Sequence, residues 1–265
     1  MEPALVLAHP DGDPFWNMAC DEWLLARAMA SPGRVYLRLY TWAVGTITLG
    51  YHQQYERAVD VRYLGDTPVV RRITGGRAVY HGQGELTYAI AAHPTDKIVP
   101  SLNGSVTASG HRLAEVLQVF LADLKIEAVY ARASAPAERR PDYLHTAPCF
   151  ASVSRYELTA QNRKVVASAQ KRAAGAFLQH GAIKPHGPTT PEHPALGADA
   201  KCLPVVREQV TPERLLVLTK SFARAWEQVT GQATEMYQFT PDEFRAVERR
   251  HRLVATHPLE KRSFD

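Results

Sequence analysis

With 265 residues, 45% of them hydrophobic, 9% aromatic and 22% charged, the chain can bury one large core or a core with a small appendage, and it is not disordered by composition. A formal net charge of +4 makes the surface mildly basic, and with no nucleic-acid motif in view this favours an acidic protein partner over nucleic acid. Three cysteines, Cys20, Cys149 and Cys202, without CxxC spacing argue against a disulfide framework or a cysteine-rich zinc site and for a reducing compartment.

The opening segment MEPALVLAHPDGD is too short and acidic for a signal peptide. No apolar run approaches the roughly 18–20 residues that span a bilayer. A soluble, cytoplasmic protein is expected, with no membrane association. Ala4–Ala8 reads as a short strand. Pro14 opens a helix to about Met29, with Asp21 and Glu22 near its start and Ser31-Pro32-Gly33 as its stop. Arg34–Trp42 alternates as a half-buried strand does, and Val44–Leu49 is a second strand ended by Gly50. Gln54–Leu64 is a helix or an irregular connection.

Thr67–Ile90 carries strand signals on either side of a Thr74-Gly75-Gly76 turn, with Gly82 and Gly84 as breaks. Within Asn103–Leu124, Leu113, Val116, Leu117, Phe120 and Leu124 form one apolar helical stripe. Ala131–Pro148 reads as a long loop leading to Cys149, and the turn at Thr159–Asn162 folds the chain back as strands. Pro185–Val206 is again loop-like. Thr211 and Thr240, each followed by proline, cap two further helices, with a short strand at Ala233–Phe239 between them. The fold class is α+β, a mixed β-sheet core with packed helices. The expected division is a catalytic core at 1–206 and a C-terminal helical extension at 207–265 packed on it.

The pair Gly75-Gly76 has two readings. Paired glycines make hairpin turns, and they also let a ligand lie against bare backbone, here with Arg71, Arg72 and Arg77 nearby for an anionic group. The loop is neither GxxxxGK[ST] nor GxGxxG. Cys20 and Cys202 read as inert thiols. Cys149 differs because Lys164 falls on a neighbouring strand, and a cation beside a thiol makes thiolate available near neutral pH. Lys164 is either a solvated strand lysine or an inward group that polarises a substrate carbonyl. His81 and His180 are candidate general bases. The eleven histidines form no HExxH or HxxxH pair on a predicted helix, so no metal is expected.

Four stretches, FWNMACDEWLLARA, RRITGGRAVYHGQGELTYAI, CFASVSRYELTAQNRKVVASAQKR and FLQHGAI, resemble successive signatures of the lipoate/octanoate protein ligase and octanoyltransferase superfamily. The resemblance runs in order from about residue 14 to 184. It implies the biotin/lipoate protein ligase-like catalytic fold, with an aliphatic tunnel for an octanoyl chain. The RR-x-[ST]-GG-[RG] loop, here Arg71, Arg72, Thr74, Gly75, Gly76 and Arg77, lines that tunnel, and Lys164 faces the acyl carbonyl. His81, Ser168, Ala169, His180 and Gly181 join the substrate-binding set. The GRGRxxR loop of biotin ligases is missing.

Two chemistries use this core. ATP-dependent ligases form an acyl-adenylate. Octanoyltransferases take the acyl group from octanoyl-acyl carrier protein onto a cysteine, then pass it to a lysine. The stretch C-F-x-x-x-S-x-Y-E-L is most similar to the cysteine-dependent branch and places Cys149 at the nucleophile. The resemblance therefore implies octanoyl transfer without a cofactor, from octanoyl-acyl carrier protein to an apo lipoyl-domain protein such as glycine cleavage H protein. The alternatives are an ATP-dependent ligase, an amidotransferase between lipoyl-domain proteins, and a non-catalytic lipoyl-domain binder. Many ligases carry a further C-terminal domain, for which this chain is expected to be too short. Two departures stand out: Ala167 replaces the usual glycine before S-A and is expected to narrow the pocket near the acyl head, and Gly82 replaces the aspartate after the loop histidine.

Overall fold

The computed structural model describes residues 2–131, 157–161, 163–184, 193–196 and 209–262. The first third of the chain gives β1 (Ala4–Gly12), α1 (Pro14–Ala30), β2 (Val35–Trp42), β3 (Thr46–Leu49) and the one-turn α2 (Tyr55–Ala58). Next come β4 (Val69–Arg71), β5 (Val79–His81), β6 (Thr87–Ala92), α3 (Val106–Asp123) and β7 (Val129–Tyr130). After them follow β8 (Leu158–Ala160), β9 (Arg163–Lys164), β10 (Val166–Ala173), β11 (Ala176–Ile183), α4 (Pro212–Thr230), β12 (Thr234–Met236) and α5 (Pro241–Thr256). None of the described helices is long and apolar enough to cross a membrane.

The main sheet has the order β10-β11-β6-β2-β1-β12, with β1 parallel to both β2 and β12 and the remaining pairs antiparallel. Alternation along β2 sorts the two faces. Val35, Leu37 and Leu39 join the stripe of α3 and Phe222 and Trp226 of α4, whereas Tyr36 and Tyr40 join α1 and Val247 and Val254 of α5. All eight residues of β2 are consequently buried, so the half-buried strand read from alternation is wrong. A period of two appears because Tyr and Arg serve the second interior face, not because that face is wet. The same double covering explains Asp21 and Glu22. They lie in the middle of α1, away from its first turn, and both are buried. Asp13 caps that helix, its carboxylate accepting from the Phe15 and Trp16 amides.

The strands around Thr74-Gly75-Gly76 do not form a hairpin. Both β4 and β5 pair with β3, which lies between them, parallel to the first and antiparallel to the second. Residues 72–78 therefore cross over the end of β3. Further on, β8 and β9 make the expected hairpin, with Thr159 opposite Lys164 and Gln161 in the left-handed region at φ 50°. Beyond its first residue the 131–148 loop lies outside the described residues, and so does 185–206 apart from 193–196. Thr211 and Thr240 cap α4 and α5 as read from sequence, the second with a full capping box.

The segment after α5 returns to the crossover. The Arg71 amide donates to the Pro258 carbonyl (2.7 Å), the Arg71 Nε to the Leu259 carbonyl (2.6 Å), and Arg262 to the Arg71 carbonyl (2.6 Å). Arg262 also pairs with the buried Glu22 of α1 (2.6 Å). The outer edge of β4 is thus tied down immediately before the glycines. Replacing Arg262 with alanine removes charge-assisted bonds at that edge, each of about 1.5–3 kcal/mol. The expected outcome is faster hydrogen exchange over 71–76 by one to two orders of magnitude, with α3 unchanged. Equal exchange in both proteins would show that the tail does not hold this edge.

Candidate active site

The crossover is shaped by close backbone approach. A Cβ on Gly50 would fall 1.9 Å from the Gly76 carbonyl oxygen, and Gly76 itself has φ 87°. Gly75 has open space around it and is not required on either ground. The arginines act on the loop from inside. Arg71 donates to the carbonyls of Gly50 (2.9 Å) and Gln53 (2.6 Å), and Arg72 to those of Thr48 (3.0 Å), Gly75 (2.8 Å) and Arg77 (2.8 Å). Both guanidinium groups are engaged with backbone carbonyls in this structure. Arg77 is also buried.

Behind the loop is a buried charge cluster centred on Asp21. Its carboxylate accepts from Arg38 (2.8 Å), the Tyr40 hydroxyl (3.0 Å) and His180 Nδ1 (2.7 Å). Nδ1 therefore carries a proton, and His180 Nε2 meets the Thr74 hydroxyl at 2.6 Å. Arg38 spends its other donors on His9 and Asn17. The Arg38 charge lies over the Tyr40 ring, 3.9 Å from its centroid. Burial pushes the Tyr40 hydroxyl well above its ordinary pKa, with Asp21 adding to the effect. One carboxylate on α1 thereby fixes β2, β11 and the glycine loop together.

His81 belongs to a second cluster. It stacks on Trp42 with centroids 4.2 Å apart, and Nδ1 lies 3.1 Å from Glu85, which also pairs with Lys184 (3.2 Å). Its Nε2 is 3.0 Å from the Thr48 hydroxyl, and that hydroxyl accepts from Arg72 (3.1 Å). Burial lowers the His81 pKa to about 4 despite the opposing pull of Glu85. The ring is neutral at neutral pH, with Nδ1–H directed to Glu85 and Nε2 accepting from Thr48.

Two clefts flank the end strand β10. The first, about 30 Å³, has an apolar wall that includes Met18, Trp42, Val79, Ala167 and Ala182, and it brings together Arg72, Gly76, His81, Ser168, Ala169, His180 and Gly181. Arg71, Thr74, Gly75 and Arg77 are not part of that wall; Arg71 and Thr74 support it from behind through the bonds above. Ala167, the departure from the usual glycine, does line it. The second cleft, about 260 Å³, lies between α3 and the strands β8, β10 and β11, and shares Ser168 and Ala169 with the first. Lys164 is inward, its side chain 1% exposed, with Nζ 2.6 Å from the Glu157 carboxylate, which lines the second cleft. Cys149 and Cys202 lie outside the described residues. Cys20 is buried in α1, and burial pushes its thiol up to about 12, which makes it inert.

Sequence reading missed Asp21, Arg38, Thr48, Glu85 and Glu157. Only Asp21 left a signal, a charge set among apolar residues in MACDEWLLA. Glu85 reaches His81 across the turn that follows β5, Glu157 reaches Lys164 across the β8–β9 hairpin, and Arg38 and Thr48 meet their partners only through the packing of separate elements.

Residues 13–187 match the lipoyl protein ligase A/B catalytic domain. A protein from Moorella thermoacetica named Octanoyltransferase LipM is 39% identical over 175 residues, 64% of this chain and 61% of the relative. Its namesake from Carboxydothermus hydrogenoformans is 42% identical over 63% of this chain and 59% of its own length. The matched region thus spans about three-fifths of these curated relatives. Among solved structures, a T. acidophilum lipoate protein ligase with bound lipoic acid aligns with a TM-score of 0.68 at 20% identity, covering 97% of this chain and 95% of that one. A lipoate-protein ligase A bound with ATP aligns at 0.66. The similarity to both establishes the fold.

The His81 cluster sets a pH dependence. The unfolded chain takes up a proton near pH 6.5, the folded chain near pH 4. The contribution of His81 is therefore fully present above pH 6.5 and is lost as pH falls through 4, at about 1.4 kcal/mol per unit across the window. Urea denaturation from pH 7 to 4 should show His81→Gln losing less stability than wild type over that range, by about 3 kcal/mol. Parallel profiles would contradict a neutral, buried His81.

Proposed function

Because the chain belongs to the lipoyl protein ligase A/B catalytic-domain family, we propose that it is an octanoyltransferase working through a Cys149 thioester. It would move an octanoyl group from octanoyl-acyl carrier protein to a lysine of an apo lipoyl-domain protein. Relatives named Octanoyltransferase LipM at 33–42% identity support this reading. A T. acidophilum structural neighbour is described together with its E2 lipoyl domain, which supports an acceptor of that class. The observation that carries the proposal is Lys164, a buried lysine on the hairpin that follows the cysteine segment, held by Glu157, which lines the second cleft.

In the first half-reaction the Cys149 thiolate attacks the thioester carbonyl. A tetrahedral oxyanion forms, the carrier thiolate leaves with its electron pair and takes up a proton, and the acyl group remains on sulfur. Thioester exchange is close to thermoneutral, so no ATP is consumed. In the second half-reaction the neutral ε-amine of the acceptor attacks the acyl-enzyme, the Cys149 thiolate departs, and the amine proton is lost as the amide forms. The Lys164 charge stabilises both oxyanions, and one such donor contributes about 3 kcal/mol. The first cleft takes the acyl chain, where each buried CH₂ contributes about 0.8 kcal/mol to length selectivity. His81, His180 and the Arg72–Gly76 crossover shape that cleft.

Lys164→Met keeps length and burial but removes the charge and leaves Glu157 without this partner. Octanoylation of an apo lipoyl domain by octanoyl-acyl carrier protein, with no nucleotide present, should fall about 10²–10³-fold in kcat. Cys149→Ala should abolish it. Undiminished transfer by Cys149→Ala would remove the thioester from the mechanism.

A further inference from the structure

Beyond Glu157, which holds Lys164, and the shared Ser168 and Ala169, the transfer chemistry above gives the second cleft no role. We propose that it receives the amide-bearing thioester arm of the acyl donor, with the acyl chain in the first cleft and the thioester between the two. This rests on the transferase reading and adds a donor subsite to it.

The first argument is continuity. Ser168 and Ala169 line both clefts, and they sit on β10, the end strand of the main sheet. An extended ligand that crosses the sheet edge at these two residues occupies both spaces. The acyl end must take the first cleft, whose wall is the more apolar in character. The remainder of the donor is then directed toward α3.

The second argument is polarity. Thr107 on α3, Gln170 on β10 and Gln179 on β11 present amide and hydroxyl groups to the second cleft. The two glutamines are already set in place. Gln170 donates to Gln179 (3.1 Å) and accepts from Arg172 (2.9 Å), and Gln179 donates to the Tyr88 hydroxyl (3.0 Å). Such a fixed wall of neutral dipoles matches a chain of secondary amides, which loses little on leaving water when its groups are met by hydrogen bonds. It does not match a phosphate. Among the described lining residues there is no lysine or arginine to meet a phosphate, and the Glu157 carboxylate is paired with Lys164.

Gly110 gives a clean test. It lines the cleft from α3, and a Cβ placed on it would come no closer than 4.0 Å to Gln179. Gly110→Leu thus projects into the cleft while favouring the helix, since leucine is the better helix former. Thr107→Trp, at an exposed position in the first turn, is a second way to fill it. The full chain is acylated, without ATP, by octanoyl-pantetheine or by octanoyl methyl thioglycolate, which has no amide arm, and the two half-reactions are timed separately by quenched-flow mass spectrometry.

The expected result in wild type is that the pantetheine thioester acylates about tenfold faster at low concentration, the equivalent of one or two hydrogen bonds. Either variant should erase that advantage, leave the armless donor unchanged, and leave the transfer from pre-acylated enzyme to a lipoyl domain unchanged. Equal use of both donors by wild type would overturn the assignment. So would variants that slow only the second half-reaction, because the cleft would then belong to the acceptor lysine. Acylation of wild type by neither thioester would overturn the transferase reading itself, and the donor subsite with it.

Discussion

The structure depends on one buried ion pair. Asp21 on α1 and Arg38 on β2 meet at 2.8 Å with side chains 1% and 0% exposed. Desolvating two charges is costly, and the cost is offset only where every remaining donor and acceptor is met. Here each one has a partner from a different element: Tyr40 on β2, His180 on β11, and His9 and Asn17 at the β1–α1 junction. Through His180 the pair reaches Thr74, and so sets the height of the glycine crossover above the sheet. Breaking such a network leaves an uncompensated charge in the interior, and the crossover is tied to the core beneath it through this network.

The crossover is secured from its other side by a different part of the chain. Arg71 and Arg72 satisfy carbonyls that a tight, glycine-rich path cannot satisfy within itself, and Arg262 and residues 258–259 cover the edge of β4. Arginine suits this work because one planar group can serve several carbonyls at once. The basic character of the RRITGG stretch is thereby a matter of loop construction. What faces the first cleft is a bare backbone at Gly76, Arg72, the neutral imidazole of His81 and an apolar wall. The apolar part of that surface is suited to a neutral acyl chain.

The sequence discloses elements whose signals are local. The Pro14 helix, the Leu113–Phe120 stripe, the Thr211 and Thr240 caps and the turn before Lys164 are all written in neighbouring residues, and all form where expected. The α+β class follows from them. What was not legible depends on partners far away in the chain. Alternation in β2 reads as one wet face because tyrosine and arginine serve equally well at a surface and in a polar interior. Thr74-Gly75-Gly76 reads as a hairpin because nothing nearby announces that β3 runs between β4 and β5. The arginines of the loop look available to a ligand because their acceptors are main-chain carbonyls, which carry no sequence signature. Among the candidate site residues, Lys164, His81 and His180 could be singled out by type, but their partners Glu157 and Asp21 emerge only once strands and helices are paired, and Glu85, four residues from His81, only once the turn after β5 has formed.

The central claim is that acyl transfer passes through a covalent enzyme intermediate on Cys149. The most direct measurement is the intact mass of the enzyme after mixing with octanoyl-acyl carrier protein and no nucleotide. The account predicts a single octanoyl adduct that peptide mapping places on Cys149 and that neutral hydroxylamine removes. An unmodified enzyme under these conditions, together with lipoyl-domain modification that appears only when ATP and free octanoate are supplied, would contradict it and make the chain an adenylate-forming ligase.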